Sequence, residues 1–390
     1  MAQKPKSSSK KPVKKAKVKK TPLDAIKNQP VPSKKANWLV RLWRAFTSLK
    51  LWKRIVLVII AFVVLFTAQA YAIAYWYQQQ HKDEKLTYGV TFISNYARYF
   101  DLDPHETMLA LRDDLGFKRF RLVSYWDEIE KTKGTYDFSD LDWQFDRVQE
   151  VNGQVTLAIG LRQPRWPECH APSWVNPAEK DVWYPELKKF MTAVVERYKD
   201  RGVLVSYQLE NEYLLGVFGE CKPFGSERQR LQEEYDLVKS IDAKTPVIIS
   251  YANNYFGVST SKPIADQIGV SVYKRVYDQT VTKNYFEYPF PSWYYSWRAG
   301  QQQILTGRSS MLHELQAEPW PPMGVKEASI AEQDKSMDAK RLKERIKYGE
   351  ETGFRDIDLW GGEWWYWRKV TFNDPSLWET IRANIPKENQ

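Results

Sequence analysis

Val205-Ser206-Tyr207-Gln208-Leu209-Glu210-Asn211-Glu212-Tyr213 is a short strand-like run that stops on two carboxylates and an amide. A strand buried on both faces of a parallel sheet reads as a near-continuous apolar run. Ending one on charged groups costs free energy unless those groups have partners or a task. In a parallel α/β barrel the catalytic side chains sit where strands end, at the C-terminal face. The stretch is therefore either a chance acidic loop or a catalytic strand end, and a second segment separates the two.

Ser309-Ser310-Met311-Leu312-His313-Glu314-Leu315-Gln316 is another strand-like run, again interrupted by a carboxylate. Cleavage of a glycosidic bond takes two such groups. One protonates the leaving oxygen, and the other attacks the anomeric carbon or activates water. With these segments the chain resembles the retaining glycoside hydrolases of clan A, the cellulase-like and β-galactosidase-like (β/α)8 barrels. In that clan an Asn-Glu pair closing strand four supplies the acid/base, and a Glu closing strand seven is the nucleophile. The resemblance implies Glu212 as acid/base, Glu314 as nucleophile, and Asn211 as the residue that binds the sugar 2-hydroxyl. His313 stands where the clan more usually has Thr. Glu210 would share a face with Glu212 on an ideal strand and is the rival within the motif. The resemblance favours Glu212, because the acid directly follows Asn.

Further residues follow the same likeness. Gly116-Phe117-Lys118-Arg119-Phe120-Arg121-Leu122 is similar to the clan's second strand and puts Arg121 at the nucleophile, where its charge would keep Glu314 ionised. Tyr273, closing strand six, matches a Tyr that hydrogen-bonds the nucleophile; a buried core Tyr is the alternative. Trp360 matches the aromatic floor of the sugar site, with Trp364 as second choice, and Glu363 nearby could contest the nucleophile role. The segment from Trp126 to Asp142 resembles a clan loop and reads as scaffold. Trp166, Trp174, Trp183, Trp293, Trp297 and Trp320 fall in or beside loops of a chain with 17 Trp in 390 residues, which suggests carbohydrate subsites or local packing. After strand three, many clan members carry a His where this chain has Gly160-Leu161-Arg162-Gln163-Pro164-Arg165-Trp166, so the subfamily and the substrate stay open.

Eight strand-like runs occur in order, at 88–93, 119–124, 155–161, 205–209, 247–251, 268–273, 310–315 and 356–360. Helix-like stretches alternate with them, which argues for a parallel sheet. The fold class expected is α/β, a (β/α)8 TIM barrel over 86–390. No zinc-ligand spacing, phosphate loop or nucleophile elbow is present, so neither metal nor cofactor is implied. Cys169 and Cys221 lie in the loops after strands three and four, and either a disulfide or two thiols would suit the sequence.

The net charge of +10 belongs to the N-terminal tail. Residues 1–54 hold 17 basic groups against Asp24, and the remainder of the chain is net acidic. Residues 1–36 read as a disordered basic cytoplasmic tail, and 37–54 as an amphipathic juxtamembrane segment lying on the membrane surface. Residues 55–77 carry no charge and are long enough to span a bilayer. Lys50, Lys53 and Arg54 on the near side orient the tail inward, and Tyr71, Tyr75, Trp76 and Tyr77 form an aromatic belt on the far side. A cleaved signal peptide ending near Ala68-Gln69-Ala70 is the alternative to this uncleaved signal-anchor. Residues 78–85 read as a linker. The tail would contact anionic lipid, and the span that follows argues against nucleic acid as its partner. The expected protein is a single-pass cell-membrane glycosidase with an extracytoplasmic domain acting on β-linked carbohydrate. A catalytically silent carbohydrate-binding barrel and a transglycosylase are the competing readings.

Overall fold

The computed structural model describes residues 36–215, 219–252 and 260–386. The expected disordered tail, apart from Ala36, lies outside them. The chain divides into two compact units, residues 1–66 and 67–390. The segment expected to be juxtamembrane contains helix α1 (Ala36–Ser48), and a second helix, α2, covers Leu51–His81. Lys50 between them is not helical, so the expected segment 37–54 is split. By length and composition α2 could cross a membrane. It runs past the expected boundary at 77, and 78–81 of the expected linker are helical.

The strands of the barrel are β1 (Thr87–Thr91), β2 (Arg119–Val123), β3 (Gln154–Ile159), β4 (Leu204–Leu209), β5 (Val247–Tyr251), β6 (Gln267–Val272), β7 (Ser309–Gln316) and β8 (Asp356–Trp360). They close in the order β1-β8-β7-β6-β5-β4-β3-β2, every pair parallel. All eight expected strands are present. Around them lie α3 (Lys180–Tyr198), α4 (Arg228–Ile241), α5 (Ser292–Thr306), α6 (Ala339–Glu351) and α7 (Gly362–Thr371). A small antiparallel hairpin, Arg275–Tyr277 with Tyr285–Glu287, stands in the β6–α5 loop and had no counterpart among the expected strands.

The barrel interior is not uniformly apolar. Arg119 Nε donates to Asp358 Oδ1 at 2.9 Å, and His313 Nδ1 lies 3.6 Å from Asp358 Oδ2, all three side chains being buried. Burial first, and the Arg121 charge second, push the His313 pKa down to about 4, so the ring is neutral. Its place depends on an irregularity in β7. Val270 pairs with Leu312 but Ser271 with Glu314, leaving His313 as an extra residue against β6. A bulge of this kind re-aims the side chains that follow it and is common beside active sites. This is the local reason a bulky His is tolerated next to Glu314.

Candidate active site

At the C-terminal end of β4 the backbone leaves the strand abruptly. Glu210 has φ 55° and Glu212 φ 42°, both left-handed. Non-glycine residues hold this conformation at a cost that the surrounding contacts must offset. Alternation along an ideal strand therefore ends at Leu209, and Glu210 and Glu212 part company. Glu210 accepts from the backbone N–H of Leu161 (2.8 Å) and of Arg162 (2.9 Å), with Arg230 Nη2 3.5 Å away. Gly160 makes room for it, since a Cβ there would stand 2.5 Å from Glu210 Oε1. The carboxylate is thus occupied with joining the β3 and β4 loops.

Glu212 is held differently. Its N–H donates to Ser250 Oγ at 3.0 Å, and its carboxyl is buried near Glu314, Ser271 and Glu168. Burial, then the negative charge of Glu314, raise its pKa to about 8. The Ser271 hydroxyl works in the opposite sense, with a smaller effect. At neutral pH Glu212 therefore carries a proton it can give away.

Glu314 is gripped on both oxygens. Arg121 Nη1 donates to Oε1 at 2.7 Å, and Tyr273 Oη donates to Oε2 at 2.8 Å. Arg121, with no exposed surface, spreads its remaining donors to Gln208 Oε1 (Nε, 2.8 Å) and Asn211 Oδ1 (Nη2, 3.1 Å). Asn211 Nδ2 in turn donates to Glu168 Oε2 at 3.1 Å. One guanidinium thus ties the ends of β2, β4 and β7 together. A buried cation with three acceptors is a far less costly arrangement than an unpaired one.

Trp360, closing β8, lies at the edge of this network, its ring 5.8 Å from the Arg121 guanidinium carbon. Its Nε1 donates to Glu318 Oε1 at 2.8 Å, and Glu318 also receives two donors from Arg165, at 2.7 and 3.2 Å. Arg165 is layered between Tyr96 (3.3 Å) and Trp360 (4.2 Å). Trp364 is elsewhere. It is fully buried on α7, with Nε1 bonded to Gln333 Oε1 at 2.7 Å and Arg368 over its ring, so packing occupies it. Glu363 accepts from Ile93 N at 2.6 Å, and burial lifts its pKa to about 7.

Structure thus brings Glu212, Glu314, Arg121, Asn211, Tyr273 and Trp360 to one end of the barrel and leaves Trp364 out. Sequence reading missed Gln208, Glu168, Arg165 and Glu318. Gln208 was accessible, being four residues before Glu212 on β4 and two before Glu210. The others sit in loops with no period to mark them. Among the loop tryptophans, Trp320 packs edge-on against Tyr273 at 5.1 Å and Trp166 is exposed, whereas Trp183 is core and Trp174 packs on Trp126. The loop after β2 is scaffold as expected: Glu130 accepts from Trp126 Nε1 and Gly134 N.

Cys169 and Cys221 form a disulfide between the loops after β3 and β4, enclosing 52 residues of sequence separation. A loop of that length contributes about 2–4 kcal/mol to stability. Replacing both cysteines with Ser is expected to lower the denaturant unfolding free energy by that amount, and an unchanged midpoint would refute the contribution. Because Glu168 is the neighbour of Cys169, the same variant should also weaken the Asn211 contact and lower kcat.

The architecture is a closed (β/α)8 barrel. Solved structures that share it include GH5_18 from Bifidobacterium longum subsp. longum, with a TM-score of 0.50 at 12% identity over 71% of this chain and 70% of that one. A variant of Xylanase10C from Cellvibrio japonicus in complex with xylopentaose has a TM-score of 0.50 at 14% identity, over 78% of this chain and 68% of that one. An exo-β-1,4-mannosidase from Opitutaceae bacterium strain TAV5 matches at 14% identity with a TM-score of 0.45; 71% of this chain is covered, and only 52% of that one. The chain thus spans about half the length of some of the structures it matches. At these identities the likeness is one of fold. No protein-family model and no curated protein matches the chain.

Proposed function

We propose that the chain is a retaining glycosidase, anchored in the cell membrane by α2, that hydrolyses β-linked sugars on the extracytoplasmic side. The observation that carries this is the asymmetry of the two carboxyls. Glu314 is pinned between Arg121 and Tyr273, while Glu212 is pushed toward its protonated form by burial and by Glu314 itself. Pairs of carboxyls whose surroundings separate their roles in this way supply a fixed anion and a proton donor.

In the first half-reaction Glu314 attacks the anomeric carbon as the glycosidic C–O bond breaks, and the Glu212 proton goes to the leaving oxygen. In the second, Glu212, now ionised, takes a proton from water as its oxygen attacks the anomeric carbon. The bond to Glu314 breaks, and both carboxyls return to their starting states. Asn211, held by Arg121 and Glu168, is placed for the sugar 2-hydroxyl, and Trp360 for the apolar face of the ring. The basic tail suits anionic lipid on the cytoplasmic side.

A panel of aryl β-glycosides offered to the full-length protein in detergent tests the reading. Hydrolysis should give a first product that keeps the β configuration, as read by NMR. Inversion, or no turnover across the panel, would remove it. Because the acid form of Glu212 is required, kcat/KM should be maintained on the acid side of pH 8 and fall as pH rises through about 8. Glu212→Gln should abolish that alkaline limb. A limb that survives the substitution would assign the proton donor to another group.

A further inference from the structure

The side chains that follow β4 part in two directions. Asn211 and Glu212 join the Arg121–Glu314 network, whereas Glu210 and Tyr213, on either side of them, reach helix α4. There both meet one residue. Arg230 Nε donates to Tyr213 Oη at 2.9 Å, and Arg230 Nη2 lies 3.5 Å from Glu210 Oε2. Tyr213 Oη in turn donates to the carbonyl oxygen of Glu227, the residue before α4 begins, at 2.9 Å. Glu210, Tyr213 and Arg230 are all buried.

Glu234, four residues after Arg230 on the same helix, completes the group. It has no exposed surface, and its Oε1 lies 3.4 Å from Arg230 Nε, whose N–H is given to Tyr213. Neither Glu234 oxygen accepts an N–H among the described residues. Its hydrogen-bonding neighbour is the other carboxyl, Glu210. Two carboxyls in contact in a dry site do not both stay ionised. Glu210 already accepts from the N–H groups of Leu161 and Arg162, so it is the anion and Glu234 holds the proton. The charges around the pair agree. Glu233 adds a negative charge, Tyr184 and Tyr213 are hydroxyls, and Arg230 is the cation beside them. Burial first, and the Glu210 charge second, raise the Glu234 pKa well above the ordinary carboxylate range.

We infer that Arg230 and Glu234 are positioning residues for the acid/base: Glu234 donates to Glu210, Arg230 holds Glu210 and Tyr213, and together they fix the backbone that aims Glu212. The positioning role rests on the glycosidase reading above; the hydrogen bond between the two carboxyls does not. The backbone concerned is the left-handed one at Glu210 and Glu212, which persists only while contacts hold it. Displacing a reacting group by about 1 Å can cost 10²-fold in rate.

The carboxyl pair is read on the full-length protein in detergent, by the infrared difference between native and Glu234→Gln at neutral pH. The variant should lose a protonated-carboxyl band; loss of an ionised-carboxylate band overturns the pair. The clamp is read by kcat/KM on two glycosides of the sugar best cleaved, one with a phenyl and one with a dinitrophenyl leaving group. Only the first needs the Glu212 proton. Glu234→Leu and Arg230→Met should lose at least tenfold on the phenyl glycoside and stay within threefold of native on the other. Glu234→Gln, whose amide can donate in the same place, should recover all but about twofold. Tyr213→Phe removes only the hydroxyl and should show the same leaving-group pattern even if Arg230→Met fails to fold. Equal loss on both leaving groups, or no loss on either, overturns the positioning role. Turnover of neither glycoside by the native protein removes the glycosidase reading and the positioning role with it, while the infrared band still decides the bond between Glu234 and Glu210.

Discussion

Glu314→Ala is expected to lower kcat on aryl β-glycosides by on the order of 10⁵, the scale seen when a covalent nucleophile is deleted. The two acids that rivalled it in sequence are engaged elsewhere. Glu210 is bound to two backbone N–H groups, and Glu363 accepts from Ile93 N, its pKa raised to about 7 by burial. The substitution also strips a buried guanidinium of its anion, because Arg121 Nη1 has its hydrogen bond to Glu314. Glu314→Gln keeps an oxygen for Arg121 and separates loss of chemistry from loss of fold. Added azide should restore turnover of Glu314→Ala and give the α-glycosyl azide, by direct attack into the vacated space. Activity above a hundredth of native in both variants would take the nucleophile role from Glu314. Glu210→Gln is the control and should still form the glycosyl-enzyme, as seen by intact mass after rapid quench.

The second large effect is at Glu212. General acid–base groups contribute about 10²–10⁴-fold, and the loss in Glu212→Ala should depend on the leaving group. Substrates with poor leaving groups should lose the full factor. Those that need no protonation should form the intermediate at near-native rates and then stall, because no base remains to activate water. Azide should release the stall and yield the β-glycosyl azide. Rescue to the α product, or equal loss on every leaving group, would contradict the assignment. The two sites are also coupled in a way a titration can read. Glu314 is the second cause of the raised Glu212 pKa, so neutralising it in Glu314→Gln should move the Glu212 titration, followed by carboxyl NMR, to lower pH.

Much of this was legible before any coordinates, and the reason is periodic. Parallel barrel strands are buried on both faces, so most write themselves as largely apolar runs; β4 differs from its expected run by one residue at its start, and β7 by one residue at each end. Glu212 and Glu314 drew notice because acidic groups interrupt those runs, and the resemblance to clan A gave them their expected roles. What stayed hidden depends on backbone handedness and on partners distant in sequence. Nothing local distinguishes Glu210 from Glu212; their separation comes from two left-handed residues and a pocket made by Gly160. The extra residue at His313 depends on how β7 registers against β6. Arg165 and Glu318 meet across 153 positions of sequence, in loops without repeat or period. Trp364 misled because an aromatic next to a strand end looks the same whether it faces a sugar or the core. Residues 78–81 read as a linker because they are polar, yet polarity here serves hydrogen bonds to α5 and to the end of α6.

That last contact bears on how the protein can be made. A secreted or soluble version would naturally be cut just before the first barrel strand, at about residue 86, to discard everything that looks like anchor and tether. Such a cut would remove Ala70, Ala74 and Tyr77 and leave the groove at Gly300, with Trp293 and Ser296 beside it, open to water. The preparation would then carry a sticky helical face of its own making, and aggregation could be mistaken for an unstable enzyme. Starting the gene near residue 67 keeps the covering turns of helix with the barrel they complete.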